Sequence, residues 1–589
     1  TWLDDIVGLD TLGTTPLAYL DSAITESYYK GKNALIYITV ENGSEEQTIK
    51  AVYDLIGENN SVSGDAVNTA TAQEMSSSET AKAIVILVPV ILFILIISTT
   101  SWLEPLLYLA AIGVAVLINM GTNVFFGQVS FVTKAVSPIL QLAVSLDYAI
   151  FLLHSFSDYR GEHEPKEAMK LAMKKALSSV AASAATTVVG ILSRVFMPLG
   201  IGYDLGINLV KGILLSFISV MTLLPAFTLA SYKLIDRFKH RRLLPGFKNT
   251  GRFLLKIRIP LMLLAVIIVI PCFLANSKVG YKYGMDIFEE DSRAGRDLIS
   301  IEAQFGSENQ LVLLVPKGEA GKEAELCSAL TKIDRVKAAV SYVTAVGSEI
   351  PAEYLPKETL NQFYSENYAR IILYTALDSE GDAAFATVRE VQDTAAKYYG
   401  AYYLAGQSAT LYDMHNMVSV DTSTVNLLAI IGIVVVLLLT FKSLSLPLIL
   451  LFTIEAAIYI NLSFAYFSGQ AFNFIGYLVI STVQLGATVD YAILLTDRYQ
   501  GLRKEHSKKE AMDKAIVGNI PAIIVSAAVL ALSGFTLSAT STNQIIAELG
   551  TLLFRGTLLS FLMVVGVLPA LLMLLDKVIT KTTLKKRIK

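Results

Sequence analysis

Apolar residues in this chain gather into eleven long runs, at about 83–100, 104–122, 136–156, 176–197, 204–233, 256–275, 425–441, 446–467, 474–496, 516–537 and 545–576. Runs of roughly 17 to 25 apolar residues have the length a helix needs to cross a hydrocarbon layer of about 30 Å. The 589 residues are 53% hydrophobic, with a mean hydropathy of +0.54, too apolar for a soluble protein. A polytopic α-helical membrane protein is expected. Two polar segments, 1–82 and 276–424, interrupt the apolar runs.

Net charge is −3, but the cations are clustered. They lie at Arg237–Arg258, in the tail Lys577–Lys589, and in the loops Arg160–Lys175 and Arg498–Lys509. If the spans alternate, all four clusters face one side, and the excess of Lys and Arg marks that side as cytoplasmic. Recognition of lipid headgroups is the competing reading of these clusters; topology alone accounts for them. The chain is then a multi-pass plasma-membrane protein whose two polar segments are extracellular. Nothing points to nucleic acid as a partner, and both a monomer and an oligomer are compatible with the sequence.

The chain repeats itself. Asp147 matches Asp490 at an offset of 343, as do Glu167-Ala168-Met169 with Glu510-Ala511-Met512 and Ser183 with Ser526. Asp204-Leu205-Gly206 matches Glu548-Leu549-Gly550 and Lys211-Gly212 matches Arg555-Gly556 at 344; Pro105 matches Pro447 and Asn119 matches Asn461 at 342. The second repeat has a span, an outer domain and five more spans. The first shows only the end of its outer domain before five spans. Two parallel six-span repeats are expected, related by an axis along the membrane normal. The first is incomplete here, so a first span and half an outer domain, about ninety residues, are expected to precede Thr1 in the native protein. The resulting plan is: 1–82, second half of the first outer domain; 83–235, spans 2–6; 236–255, a basic cytoplasmic linker; 256–275, span 7; 276–424, the second outer domain; 425–576, spans 8–12; and 577–589, a short basic cytoplasmic tail.

The outer segments read as α/β domains. In the second, strands are expected at Gln310–Pro316, Val340–Val346, Ile371–Ala376 and Tyr402–Ala405. Helices are expected at Gly321–Ile333, Glu358–Ser365 and Ala383–Tyr398, in a βαβ-type arrangement with two halves. In the first, helix Leu17–Tyr28, strand Ala34–Val40 and helix Glu45–Ile56 are expected, with 59–80 a helix leading into the membrane, though its Ser/Thr/Asn-rich composition also fits a flexible loop. Tyr281, Tyr283, Phe288, Phe363, Tyr364 and Tyr368 either line an apolar path or pack the domain core.

The most unusual residues are Asp147-Tyr148 and Asp490-Tyr491. They sit at the centre of apolar runs in matching contexts, Gln141 to Ile150 and Gln484 to Ile493. A carboxylate at the bilayer centre costs roughly 3 kcal/mol on insertion scales. A chain that carries this cost twice puts it to use, and protons are the natural cargo. Interhelical polar contacts at about 0.6 kcal/mol each are the competing reading, but a neutral Asn or Ser would supply those at less cost. Ser183, Thr186, Thr187 and Ser526 on neighbouring spans, and Gln141 and Gln484 on the same spans, are candidate hydrogen-bonding partners. Lys211 and Arg555 read as interface anchors. Glu455, in the span at 446–467, has no acidic match in the first repeat and takes no role from the sequence.

Two repeats of six spans, each with an outer α/β domain and an Asp-Tyr pair in its fourth span, resemble the resistance–nodulation–division (RND) superfamily. The paired Asp-Tyr and short outer domains resemble its MMPL branch, of the Gram-positive type. The resemblance implies porter-type outer domains and proton-driven export of lipids or other hydrophobic or amphiphilic compounds. It also implies that Asp147, Tyr148, Asp490 and Tyr491 form the proton relay. A protein-translocation motor of the same superfamily and a non-transporting lipid- or sterol-sensing protein are the alternatives. No Walker A loop, zinc pattern or histidine spacing is present. The protein is therefore expected not to be an enzyme and to need no cofactor beyond protons as coupling ion.

Overall fold

The computed structural model describes residues 29–36, 38–127, 129–197, 199–241, 243, 247, 249–284, 292–305, 309–347 and 357–584. The helix expected at Leu17–Tyr28 and the aromatic Phe288 lie outside them. The chain divides into two compact units, residues 1–71 with 282–419 and residues 72–281 with 420–589.

A two-residue hairpin, β1 (Tyr29–Lys30) and β2 (Asn33–Ala34), precedes α1 (Glu45–Ile56). Long helices follow: α2 (Asp65–Ser98), α3 (Glu104–Gly121), α4 (Phe131–Arg160), α5 (Pro165–Leu192), α6 (Gly200–Arg237) and α7 (Thr250–Asn276). The polar segment contributes α8 (Arg293–Phe305), β3 (Asn309–Pro316), α9 (Ala320–Leu330), β4 (Val336–Val340), α10 (Lys357–Phe363), β5 (Tyr368–Thr375), α11 (Asp382–Tyr398) and β6 (Tyr403–Ala405). The chain ends with α12 (Gln407–Phe441), α13 (Ser445–Ser468), α14 (Phe474–Leu502), α15 (Lys508–Thr540), α16 (Gln544–Leu562), α17 (Leu568–Leu574) and α18 (Asp576–Thr582). Eleven helical stretches are long and apolar enough to cross a membrane among the described residues, at the positions expected from the sequence. Helices suit this environment because every backbone group finds its partner within the segment.

In the polar unit the sheet order is β4-β5-β3-β6, with every neighbouring pair antiparallel. Each βαβ crossover, β3-α9-β4 and β5-α11-β6, therefore spans an intervening strand, the split βαβ or ferredoxin-like arrangement. Alternation along β3 buries Leu311, Leu313 and Val315, and on β5 Ile371 and Leu373 are fully enclosed. Two strand expectations fail. The strand placed at Val340–Val346 ends at Val340, and Val343–Gly347 forms one wide helical turn. The Thr344 hydroxyl accepts from Ser341 N at 2.8 Å and donates to Ala339 O at 3.0 Å, so local bonds replace the ladder there. The strand placed at Ala34–Val40 is confined to Asn33–Ala34, and no ladder pairs the described residues after it. The first outer segment packs on the second: Ile49, Val67 and Ala70 share a buried cluster with Ala294 of α8. Arg293 lies over Tyr53 at 4.1 Å and bonds Glu58 at 3.1 Å.

Tyr283 and Tyr364 are buried in this unit, while Phe363 and Tyr368 are partly exposed. Tyr364 donates to Glu323 at 3.0 Å and stacks against Tyr342, and Tyr283 meets Phe385 and His415. Burial and the nearby Glu323 carboxylate push the Tyr364 hydroxyl well above its usual range.

In the membrane unit each repeat packs its third-, fourth- and sixth-type helices together: α3, α4 and α6 in the first, α13, α14 and α16 in the second. Across the repeats, α4 packs on α15 and α14 packs on α5. The main packing across the repeat boundary is between each Asp-bearing helix and the fifth-type helix of the other half. The Asp-bearing helices are the innermost, with 83% and 94% of their most apolar windows buried against 11–67% for the other spans.

Candidate functional site

Matching bonds hold α4 and α14 at both ends. At the start of α4, Ser130 caps the helix and its N–H donates to Asp204 of α6 at 2.8 Å. At the start of α14, Asn473 caps the helix and its N–H donates to Glu548 of α16 at 2.9 Å. This is the role of the Asp204/Glu548 match. At the far ends, Arg160 bonds Asp236 at 2.7 Å and Arg503 bonds Asp576 at 3.1 Å. Burial acts to raise the Asp576 carboxyl, but hydrogen bonds from Arg503 and Tyr499 outweigh it and hold the group below the usual carboxylate range.

Between these ties lie the two Asp-Tyr pairs. The Ser526 hydroxyl of α15 donates to Asp147 Oδ2. Ser183, its match on α5, lies within interaction range of Asp490, together with Thr186. Tyr148 and Tyr491 each lie within electrostatic range of both aspartates, the one on the other repeat included. Adjacent residues on a helix point in different directions, so each tyrosine reaches across to the other repeat. The result is two crossed sets: Asp147, Tyr491 and Ser526; and Asp490, Tyr148, Ser183 and Thr186. Among the described residues, Asp147 Oδ1, both Asp490 oxygens and both tyrosine hydroxyls are buried without a hydrogen-bond partner. Buried polar groups are normally paired, so this cluster of unpaired oxygens stands apart from the rest of the bundle.

The two sets differ. Thr186 and Thr187 on α5 correspond to Val529 and Leu530 on α15. Thr187 donates to Gly486 O of α14 at 3.2 Å, and a Cβ on Gly486 would come within 3.1 Å of Thr187 Cα. The glycine is what lets α5 and α14 approach.

Gln141 and Gln484, the other candidate partners, lie elsewhere. Gln141 accepts from Asn119 at 2.8 Å and donates to Gly212 O and Ser216 at 3.0 Å each. Gln484 accepts from Asn461 at 3.0 Å and donates to Gly556 O at 3.0 Å and Ser560 at 3.1 Å. These matched clusters fasten three helices within each repeat. Lys211 donates to Asn123 at 2.6 Å and lies over Phe126, and Arg555 donates to Asn461 at 2.7 Å and lies over Phe464.

One residue escaped the sequence reading. Arg194, just after α5, is 1% exposed, donates through Nε to the Thr482 hydroxyl of α14, and leaves Nη2 without a partner among the described residues. Its match at offset 343 is Leu537, so the repeat comparison held the signal: a cation present in only one half.

Known proteins resemble this chain along most of its length. The Streptomyces coelicolor membrane protein ActII-3 is 26% identical over 547 residues, covering 87% of this chain and 72% of its own. The apo-petrobactin exporter of Bacillus anthracis is 22% identical over 603 residues, covering 96% of this chain and 79% of its own. The fold is similar to that of SecDF, a translocon-associated membrane protein of Thermus thermophilus. Its TM-score is 0.58 at 12% identity, over 86% of this chain and 64% of that one. The MMPL family model matches residues 30–254 and 286–588, taking in ten of the eleven spans and most of both polar segments, and the chain belongs to the MMPL family.

Proposed function

We propose that this protein is a proton-driven exporter of lipids or other hydrophobic or amphiphilic compounds across the plasma membrane, with its polar segments extracellular. The observation that carries this reading is the crossed cluster of Asp147, Tyr148, Asp490 and Tyr491, with its unpaired buried oxygens. Each repeat is tied internally by its Gln-Asn-Ser cluster and by the bonds at both ends of its Asp-bearing helix. Among the described residues, the bond from Ser526 to Asp147 is the one hydrogen bond that reaches either aspartate from the other repeat. Adding or removing a proton there changes the charge at the seam between two internally fastened halves. A tyrosine hydroxyl donates to the ionised carboxylate and accepts from the protonated acid. Each proton entering down a potential of ~100 mV brings about 2.3 kcal/mol, enough to bias a two-state change in helix packing. The exporter among the relatives supports movement of an organic cargo rather than a purely structural role.

The test is efflux of a fluorescent amphiphile from proteoliposomes under an imposed proton gradient. Asp147→Asn and Asp490→Asn keep shape and hydrogen bonding but cannot cycle a proton. Each is expected to abolish gradient-driven efflux while the protein stays monodisperse. Wild-type rates in both single variants would refute the relay.

A further inference from the structure

Two interfaces join the repeats, α5 with α14 and α4 with α15. They are equivalent by the duplication but differ in chemistry. Along α14, Thr482, Gly486 and Asp490 follow at four-residue steps, so they lie on one side of the helix over about 12 Å. Each meets a polar group of α5 or of the turn after it. The Thr482 hydroxyl accepts from Arg194, Gly486 O accepts from Thr187 at 3.2 Å, and Asp490 lies within interaction range of Ser183 and Thr186. Tyr477, nearer the start of α14, is within electrostatic range of Arg194, and its hydroxyl accepts from Asn426 at 3.4 Å. These contacts form a ladder that starts near the outer end of α14 and ends at the relay.

The equivalent positions between α4 and α15 carry no such ladder. At the repeat offset of 343, Thr482 and Gly486 correspond to Ile139 and Ala143, and Thr186, Thr187 and Arg194 to Val529, Leu530 and Leu537. All five are at most 2% exposed. Ser533 stands where α5 has Gly190, and its hydroxyl donates to Val529 O of its own helix at 2.7 Å. A water inside a protein needs two to four polar partners. Packed aliphatic side chains offer none. The α5–α14 interface offers hydroxyls, and Arg194 Nη2 is a buried donor without a partner among the described residues. Packing alone does not call for a cation here, since the other repeat fills the position with a leucine. A buried guanidinium is costly unless its donors are satisfied.

We propose that protons from the outer side reach the relay through the α5–α14 interface alone, arriving at Asp490 before Asp147, with Arg194 as a positioning residue that holds water at the outer end. The guanidinium keeps its own protons. The proton passes along water and hydroxyl oxygens, each giving one up as it takes the next, and ends on the Asp490 carboxylate. The α4–α15 interface stays dry above Asp147. This deepens the proton-coupled reading and rests on it. Hydration of one interface is measured without transport, so the two can fail separately.

The experiment uses the full chain in lipid nanodiscs and hydroxyl radicals generated from water by short X-ray pulses, with oxidised side chains located by mass spectrometry. After correction for intrinsic reactivity, residues 183–194 and 478–489 are expected to be oxidised at least threefold more than their matches, 526–537 and 135–146. Arg194→Leu should remove that difference, and Asp490→Asn should retain it. In proteoliposomes, Arg194→Leu should raise the external proton concentration for half-maximal efflux at least fivefold, with the maximal rate recovered in acid. Arg194→Lys should restore part of the shift, and Leu530→Met should cause none. Thr187→Val, which removes one hydroxyl at nearly constant volume, replaces Arg194→Leu if that variant does not fold. Equal oxidation of the two interfaces, oxidation of neither, or a lower maximal rate at every pH without a shift in the half-maximal concentration would overturn the proposal. Arg194 and the threonines would then only fasten helices together.

Discussion

Gly212 and Gly556 show how a single missing atom fixes a buried polar cluster. A Cβ at Gly212 would lie 2.8 Å from both Asn119 Nδ2 and Gln141 Oε1, and one at Gly556 would lie 2.6 Å from Asn461 Nδ2. These are rigid, fully buried amides rather than flexible chain ends. Gly212→Ala and Gly556→Ala are each expected to destabilise the protein by about 1–3 kcal/mol through overpacking. Gly113 meets nothing within 4 Å, so Gly113→Ala should be neutral or slightly stabilising by helix propensity. Thermal melting in detergent separates these outcomes. Ser526 offers a second comparison. Its hydroxyl donates to Asp147, so Ser526→Ala should slow gradient-driven efflux several-fold, and Ser526→Thr, which keeps the hydroxyl, should restore much of the rate.

At the level of elements, each Asp-bearing helix is held by an acid at both ends: Asp204 and Asp236 of α6 in the first repeat, Glu548 of α16 and Asp576 of α18 in the second. The bond from Arg503 to Asp576 continues into Tyr499, which donates to the same carboxylate at 2.8 Å. Because the folded-state carboxyl is held below its unfolded value of about 3.9, its contribution is fully present above that pH and is lost as pH falls through the folded value. Asp576→Asn should therefore lower the melting temperature at neutral pH, and the gap from wild type should close as the pH falls through the folded carboxyl's lowered range. The loss should stay within about 1 kcal/mol for the partly exposed Arg503 bond, with a further share from the buried tyrosine contact. A gap that persists unchanged into acid would mean that Asp576 acts through packing.

For the whole molecule, the reading places the basic segment 236–255 in the cytoplasm and the ferredoxin-like sheet outside. Single cysteines at Asn249 and Ser328, both exposed, test this in a background lacking Cys272 and Cys327. In intact cells an impermeant maleimide is expected to label the Ser328→Cys protein and to spare the Asn249→Cys protein. The reverse pattern would invert the topology. The two buried native thiols lie in different units, Cys272 in the membrane unit and Cys327 in the polar one.

The sequence by itself determined the eleven spans, the duplication and the pair of intramembrane aspartates, because apolar length, offset matches and a lone charge in an apolar run are all local or linear signals. It also held the α/β character of the polar segment, though not the end of the strand at Val340, where Ser341 and Thr344 bond locally in a stretch whose alternation still reads as β. Only the tertiary structure decided which candidates meet. Ser183, Thr186 and Ser526 lie beside the Asp-Tyr pairs, and Thr187 bonds the backbone of the helix that carries Asp490, because fifth-type helices pack across the repeat boundary. Gln141 and Gln484 share a helix with the aspartates but face inward to Asn119 and Asn461, nearly two turns away. The same packing buries Arg194 against Thr482. Those residues are far apart in the chain, and no periodicity within one helix records which helix will lie against it.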